Sequence, residues 1–361
     1  MERLLNITKH FKIDSPIAEI SKLGEGFIND TLIAVSQNGT RYILQKKNKN
    51  IFKNIPDMMD NILKVSQHIK DKLIIQGGDP LRSAMTIIET HGGELFTLDS
   101  ENQYWTMTLF IENTIAYSQV DSPKIAEAGG RGIGRFQAML WDFTTPLVDT
   151  LPGFHQMDFR FNQWDSIIAN DPVGRLKNVR KEVEWVENRR AKMLEVWGKV
   201  QNGTIPQRVT HNDTKVSNIL FTAQGEVLCV IDLDTVLTAT ILNDFGDCVR
   251  TYTNTGKEDD TQLENVTMSL ELFEGLCKGY LSEVGELLSD EELKELAYAG
   301  EYITTEQVLR FLMDYIDGDN YYKTKSAEHN LERTRAQIAL VESIEKQRPQ
   351  INIIVEKYAR K

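Results

Sequence analysis

The sequence predicts an α+β protein of two lobes, a small antiparallel β lobe followed by a larger α-helical lobe. Three observations carry this reading. Short apolar runs separated by turn residues fill the first third of the chain. A longer apolar run, YWTMTLFI at 104–111, ends that third. From about residue 114 the pattern turns helical. The expected division is therefore 1–113 and 114–361, with a lobe-joining segment near Glu112-Asn113.

In chain order, IAEISKL (17–23) is a strand leading into Gly24-Glu25-Gly26. DTLIAVS (30–36) and TRYILQK (40–46) flank Gln37-Asn38-Gly39. Asn-Gly between such runs predicts a hairpin, because both residues accept positive φ. Residues 56–72 predict a helix with Pro56 in its first turn. Strands are expected at 85–89 and 94–97, across His91-Gly92-Gly93, and then at 104–111. Helices are expected at 121–141, 160–170 and 176–201, the last continuous. A strand-loop-strand island spans 207–232, and helices return at 244–253, 264–287, 290–315 and 328–348.

The 361 residues carry a net charge of -12, with 41% hydrophobic and 26% charged residues. That length supports a large core. An acidic surface repels nucleic acid and anionic membrane, so neither is expected as a partner. Three cysteines with no Cys-x-x-Cys pair and no zinc spacing suit a reducing compartment. No apolar run approaches a membrane span and no signal peptide is read, so a cytoplasmic protein is expected.

The island contains VTHNDTKVSNILF (209–221), with His211, Asp213 and Asn218 in the spacing His-x-Asp-x-x-x-x-Asn. In phosphoryl transfer to a hydroxyl this spacing places two functions in one loop. Asp213 accepts or orients the acceptor's proton. The Asn218 carbonyl oxygen suits Mg²⁺, a hard cation. Lys215 can offer charge to the transferring group, and His211 reads as a core histidine supporting the loop. Residues 219–231 read as a hairpin turning at Ala223–Glu226, which places Asn218 opposite Asp232 as a second metal oxygen. Asp244-Phe245-Gly246 has the letters of a kinase metal triplet, but it lies off the hairpin. Asp244 instead reads as a helix cap that braces the loop, and Asp234 is either a second metal-shell carboxylate or a turn residue.

Gly24, Gly26 and Asn29 form a turn whose backbone could approach phosphate. Gly130-Arg131-Gly132-Ile133-Gly134 has no preceding strand and reads as close helix packing. Asp317-Gly318-Asp319-Asn320 fails calcium-loop spacing, because Tyr322 falls where glycine is needed.

THNDTKVSNIL and VIDLDT, with GEGFINDT, RYILQKKN, VLRFLMDYIDGDNYYKTK and EHNLERTRAQI, resemble the aminoglycoside phosphotransferase-like small-molecule kinases. Within them the resemblance is to bacterial N-acetylhexosamine 1-kinases, and it covers nearly the whole chain. It implies a protein-kinase-like fold using ATP and Mg²⁺ to phosphorylate the anomeric hydroxyl of GlcNAc or GalNAc. Carried over by position, Asp213 is the base, and Asn218 and Asp232 hold magnesium. Arg310, Asp319 and Tyr321 surround the sugar, as does Asp213. Adenine is expected at Leu109–Asn113, with Phe110 and Glu112 as contacts.

One departure concerns the nucleotide. Gln45 stands where many relatives carry a strand lysine, and the 56–72 helix offers only Asp57 and Asp60 as nearby acids. Lys46 or Lys47 substitutes only if the strand register differs. Two alternatives follow: a kinase of the same fold acting on choline, homoserine or an aminoglycoside, and a non-catalytic nucleotide-binding protein. The intact trio Asp213, Asn218 and Asp232 argues against the second.

Overall fold

In the computed structural model, residues 2–23 and 28–359 are described. The chain forms two compact units. The first comprises the residues up to Ile115 together with Asp142–Pro152 and Leu220–Leu237; the second comprises Ala116–Trp141, Gly153–Ile219 and the chain from Thr238. The chain thus leaves the first unit and returns to it twice.

The first unit opens with a short helix, α1 (Glu2–Thr8). Strands β1 (Ile17–Lys22), β2 (Asp30–Ser36) and β3 (Arg41–Lys46) follow. Helices α2 (Ile55–Ile75) and α3 (Pro80–Ser83) precede β4 (Thr97–Leu98) and β5 (Tyr104–Leu109). The five strands pair in the order β1-β2-β3-β5-β4, and each of these pairs is antiparallel. The Asn-Gly hairpin forms as expected: Gly39 has φ +89, and Ser36 N–H donates to Thr40 O at 2.9 Å. Alternation in β2, β3 and β5 buries Ala34, Tyr42, Leu44, Trp105 and Met107, and a register shift between Ile17 and Glu19 lets β1 add both Ile17 and Ile20, in one cluster with Ile7 and Phe11. The helix α1, not anticipated from sequence, supplies Ile7 to this cluster.

In the second unit, helices α4 (Pro123–Met139), α5 (Met157–Asn170) and α6 (Arg180–Gln201) lead to β6 (Arg208–Thr210). The chain then returns to the first unit, where β7 (Ile219–Phe221, its first residue still in the second unit) and β8 (Val227–Val230) form a hairpin with Gly225 at φ +80; β9 (Leu237–Ala239), where the chain re-enters the second unit, pairs with β6. Helices α7 (Ile241–Tyr252), α8 (Leu270–Val284), α9 (Asp290–Asp317), α10 (His329–Lys346) and α11 (Arg348–Ala359) complete the unit. Its spine is α9, which starts in a Ser289/Glu292 capping box and ends at Gly318 (φ +97). No helix among the described residues is long and apolar enough to cross a membrane.

Several boundaries differ from expectation. Only Thr97–Leu98 of the second predicted hairpin is strand; Ile87 and Thr90 make single bridges. The 176–201 helix is broken at Val179 after a 3-10 turn. The helix expected from 264 starts at Leu270, because Ser269 caps it and residues 254–268 are held by Thr255–Thr267 bonds. The helix α11 escaped detection because α10 closes at Gln347 and the next helix starts one residue later at Arg348, with Pro349 in its first turn.

The glycines at 129–134 work as expected. A Cβ on Gly130 would stand 2.4 Å from Leu276 O, and one on Gly134 2.7 Å from Tyr280 O, so α4 meets α8 backbone to backbone. Gly130→Val is therefore expected to lower unfolding stability by about 1–3 kcal/mol in urea titration. Gly198→Ala, a helical site with nothing within 4 Å of the new Cβ, is expected to raise it by about 0.5–1 kcal/mol.

Candidate active site

The loop after β6 is built on one face of α7. Asp244, Asp247, Cys248 and Tyr252 recur at helical spacing and all point to residues 211–214. Asp244 accepts the backbone N–H groups of His211 (3.0 Å) and Asn212 (2.7 Å). Asp247 accepts the N–H of Thr214 at 2.8 Å, and the Thr214 hydroxyl donates to Asp244 O at 2.8 Å. Tyr252 Oη donates to Thr214 O at 3.0 Å. Asn212 has φ +64, a left-handed position that asparagine tolerates. The peptide groups flanking Asp213 are thus fixed from beneath.

Asp244 is fully buried, yet it is not the helix cap expected from sequence. Thr240 caps α7, its hydroxyl accepting Leu242 N–H, so the helix starts a turn earlier and Asp244 is free to serve the loop. The brace expected of Asp244 is present. A further link was not anticipated: Gln137 of α4 donates to Asp244 Oδ2 at 2.8 Å and accepts from Tyr280 Oη of α8. Asp247 is buried beside Arg250, at 2.8 Å. Burial pushes its carboxyl up, but the guanidinium outweighs that and holds it below the usual range. The acids spaced i, i+3 in DFGD were the available signal for this brace.

Asp213, Lys215 and Asn218 come together. Lys215 Nζ lies 2.9 Å from Asp213 Oδ2. Asn218 Nδ2 donates to Asp213 O (2.8 Å) and Oδ2 (3.1 Å). The amide nitrogen is thereby used inside the loop, which turns Oδ1 away as an acceptor, the atom a hard cation would need. His211 is buried, and its Nδ1 accepts Asp213 N–H at 3.2 Å, which is the supporting role expected.

In the first unit, Asp232 ends the β7–β8 hairpin with φ +63 and ψ 54, and a 3-10 turn, Leu233–Thr235, follows. Asp234 is buried and binds Lys47 Nζ through both oxygens, at 2.7 and 2.8 Å. Lys47 also donates to Gln45 Oε1 at 2.8 Å, and Gln45 Nε2 donates to Thr31 Oγ1 at 3.2 Å. Asn29 Nδ2 donates to Asp234 Oδ2 at 2.7 Å, and Asn29 Oδ1 accepts Asn48 N–H at 3.0 Å. Gln45 and Asn29, the residues expected at the nucleotide, bond their amides within this cluster. Lys46 pairs with Asp30, and the α2 acids are used locally, Asp60 with Lys64 and Asp57 with the Asn54 cap. Gly24 and Gly26 lie outside the described residues.

The linking segment is internally bonded. Arg41 stacks 4.2 Å over Phe110 and grips the Glu112 carboxylate, while Arg82 donates to Glu112 O at 2.9 Å. Phe110 N–H donates to Arg41 O at 3.0 Å.

Arg310 and Tyr321 meet at a cavity of about 220 Å³ within the second unit, lined also by Arg160, Gln163, Asp314 and Tyr322. Asp314 folds the loop over α9 by accepting the N–H groups of Tyr321 (2.8 Å) and Tyr322 (3.0 Å). Arg310 faces the rings of Phe154, Tyr321 and Tyr322 at 5.3–5.9 Å. Asp319 is turned elsewhere, to Arg175 (2.6 Å) and Asn330 (2.8 Å), and is not among the lining residues. Glu306, the helical i, i+4 alternative for Arg310, binds His155 at 2.5 Å. Sequence reasoning missed Arg160, which sits one element away on α5.

Burial pushes the Glu306 carboxyl up, but His155 and Arg160 outweigh it and hold it at about 2, against an ordinary 4.5. A depressed carboxyl stabilises the fold above pH 4.5, and that stabilisation is lost as pH falls toward 2. Denaturant titrations of wild type and Glu306→Gln are expected to differ most near neutral pH, by about 3 kcal/mol, and to converge near pH 2.

No group of three or more His, Cys, Asp or Glu able to hold a metal occurs among the described residues. A magnesium ion held by one or two protein oxygens plus phosphates does not need one. Asn218 Oδ1 and the Asp232 carboxylate have the right hard-oxygen chemistry.

Comparison with known proteins bears on the fold and the family. Solved structures similar to the chain include an aminoglycoside phosphotransferase from Alicyclobacillus acidocaldarius (13% identity, 98% of this chain and 96% of that one, TM-score 0.58). A spectinomycin phosphotransferase solved with ADP and spectinomycin aligns at 14% identity over 97% and 98%, with TM-score 0.58. A microcompartment-associated aminopropanol kinase aligns at 14% identity over 97% and 98%, with TM-score 0.61. At these identities the likeness establishes the protein-kinase-like fold. The phosphotransferase enzyme family matches residues 19–274. With that match spanning the β sheet, the 211–218 loop and α7, the chain belongs to the phosphotransferase enzyme family.

Proposed function

We propose that the protein is an ATP- and Mg²⁺-dependent kinase that phosphorylates the 1-hydroxyl of an N-acetylhexosamine, GlcNAc or GalNAc. The observation that carries the chemistry is the bracing of Asp213 by α7. A base must hold its orientation while a proton moves, and every peptide group from His211 to Thr214 that donates to Asp244 or Asp247 restricts it. The acceptor oxygen forms its bond to the γ-phosphorus, the bond to the β-phosphate oxygen breaks, and the acceptor's proton passes to Asp213. Lys215 holds one Asp213 oxygen, which leaves the other for the hydroxyl. Asn218 and Asp232 would hold magnesium, which supplies charge neutralisation on the phosphates when bound.

The acceptor reading is supported by the Arg310 cavity together with the resemblance of the 308–325 block to the sugar kinases. A neutral sugar is recognised by fixed directional donors and by apolar ring faces. Arg310, Gln163 and Arg160 offer the first, and Tyr321 and Tyr322 the second. Asp319 then serves by ordering the loop that carries Tyr321.

Assay of ADP release with Mg-ATP across GlcNAc, GalNAc, galactose, choline and homoserine tests the acceptor. Turnover is expected with at least one N-acetylhexosamine; turnover with choline or homoserine and neither N-acetylhexosamine would overturn the reading. Asp213→Asn is expected to keep nucleotide affinity and lose about 10²–10⁴-fold in kcat. Full activity of that variant would remove Asp213 from the role of base. Arg310→Ala is expected to raise the acceptor KM at least tenfold while the KM for ATP stays within twofold.

A further inference from the structure

Resting on the reading of Asp232 as the metal-facing carboxylate, we propose that Lys47 and Asp234 form a buried positioning pair. The pair fixes the Asp232 turn for metal–nucleotide binding, and neither residue touches nucleotide or metal.

The geometry of Lys47 excludes a direct phosphate role in this state. An ammonium carries three protons, and three acceptors lie within 2.8 Å: Gln45 Oε1, Asp234 Oδ1 and Asp234 Oδ2. The side chain is 3% exposed. Lys47 lies two residues after Gln45, on the same side of the extended chain. Its charge is therefore delivered beneath the sheet to Asp234 and not to an acid on α2.

Asp234 is equally committed. It takes both Lys47 contacts and the Asn29 amide, and it is 7% exposed. Its place in the chain gives these bonds a consequence. Asp232, two residues earlier, holds a left-handed backbone conformation. A non-glycine residue stays in that region only where its surroundings over-determine it. One turn, Leu233–Thr235, separates it from Val236, whose N–H donates to Leu233 O at 3.1 Å. Asp234 bolts this turn to the end of β3 through Lys47, and through Asn29 to the residues just before β2. A buried ion pair adds little stability over apolar packing, so its value here is geometric.

The test is acceptor-free. Affinity for ADP is measured by calorimetry with Mg²⁺ and with EDTA, for wild type, Lys47→Met, Asp234→Asn and the double variant. Wild type is expected to bind ADP more tightly with Mg²⁺. Each single variant is expected to lose at least tenfold in Mg-ADP affinity while ADP in EDTA changes within about twofold. The double variant is expected to lose no more than the weaker single variant. If Lys47→Met keeps wild-type Mg-ADP affinity while Asp234→Asn loses it, Asp234 is a direct metal ligand and the proposal falls. If both keep it, the pair is merely structural and the proposal falls. Lys47→Gln, which retains a donor toward Asp234, replaces the methionine variant if that does not fold, with the same expected loss. Wild type with no Mg²⁺ dependence would overturn the metal reading of Asp232 itself. Failure of the N-acetylhexosamine assay alone leaves this test untouched.

Discussion

The structure depends most on two buried carboxylates that satisfy backbone donors of a loop which cannot satisfy them itself. Residues 211–214 follow a three-residue strand and belong to no helix, so their N–H groups need acceptors. Asp244 and Asp247 supply these from a rigid helix. An ionised acceptor gives a stronger bond than a carbonyl, and a helix presents two of them on one face at fixed separation. The position of Asp213 is then set by α7, whose own place is set by packing against α9 and by Gln137 from α4.

That dependence explains why glycine recurs in α4. Gln137 reaches Asp244 only if α4 lies close to its neighbours. Gly130 and Gly134 remove the side chains that would hold α4 away from the α8 backbone. Gly246 does the same for α7, where a Cβ would stand 2.3 Å from Ala299 O of α9. Packing and chemistry are therefore joined: the residues without side chains decide where the charged ones arrive.

Much of this was legible in the sequence. The Asn-Gly hairpin, the helix at 290–315 and the spacing of Asp213 and Asn218 each depend on local chemistry, and each appears where expected. What was hidden depends on partners distant in sequence. Asp234 read as an ambiguous acid because Lys47 lies 187 residues away. Asp244 was assigned to the cap because the start of α7 was set too late; Thr240, with Leu242 N–H as its partner, was the better capping residue. Arg160 carries no motif, and only the fold brings α5 beside Arg310. Asp319 was expected at the sugar, whereas its carboxylate accepts from Arg175, 144 residues away in sequence, and from Asn330.

The return of the chain to the first unit has a consequence for synthesis. When β3 leaves the ribosome, Lys47 has no carboxylate at its buried position, because Asp234 has yet to be made. At about 5–20 residues per second the wait is about 10–40 s. Through that interval the Lys47 ammonium, just past the end of the central strand β3, has no carboxylate to be buried against, which opposes burying it. The order of translation thus closes the Lys47, Asn29 and Asp234 cluster only after the 211–218 loop has been made.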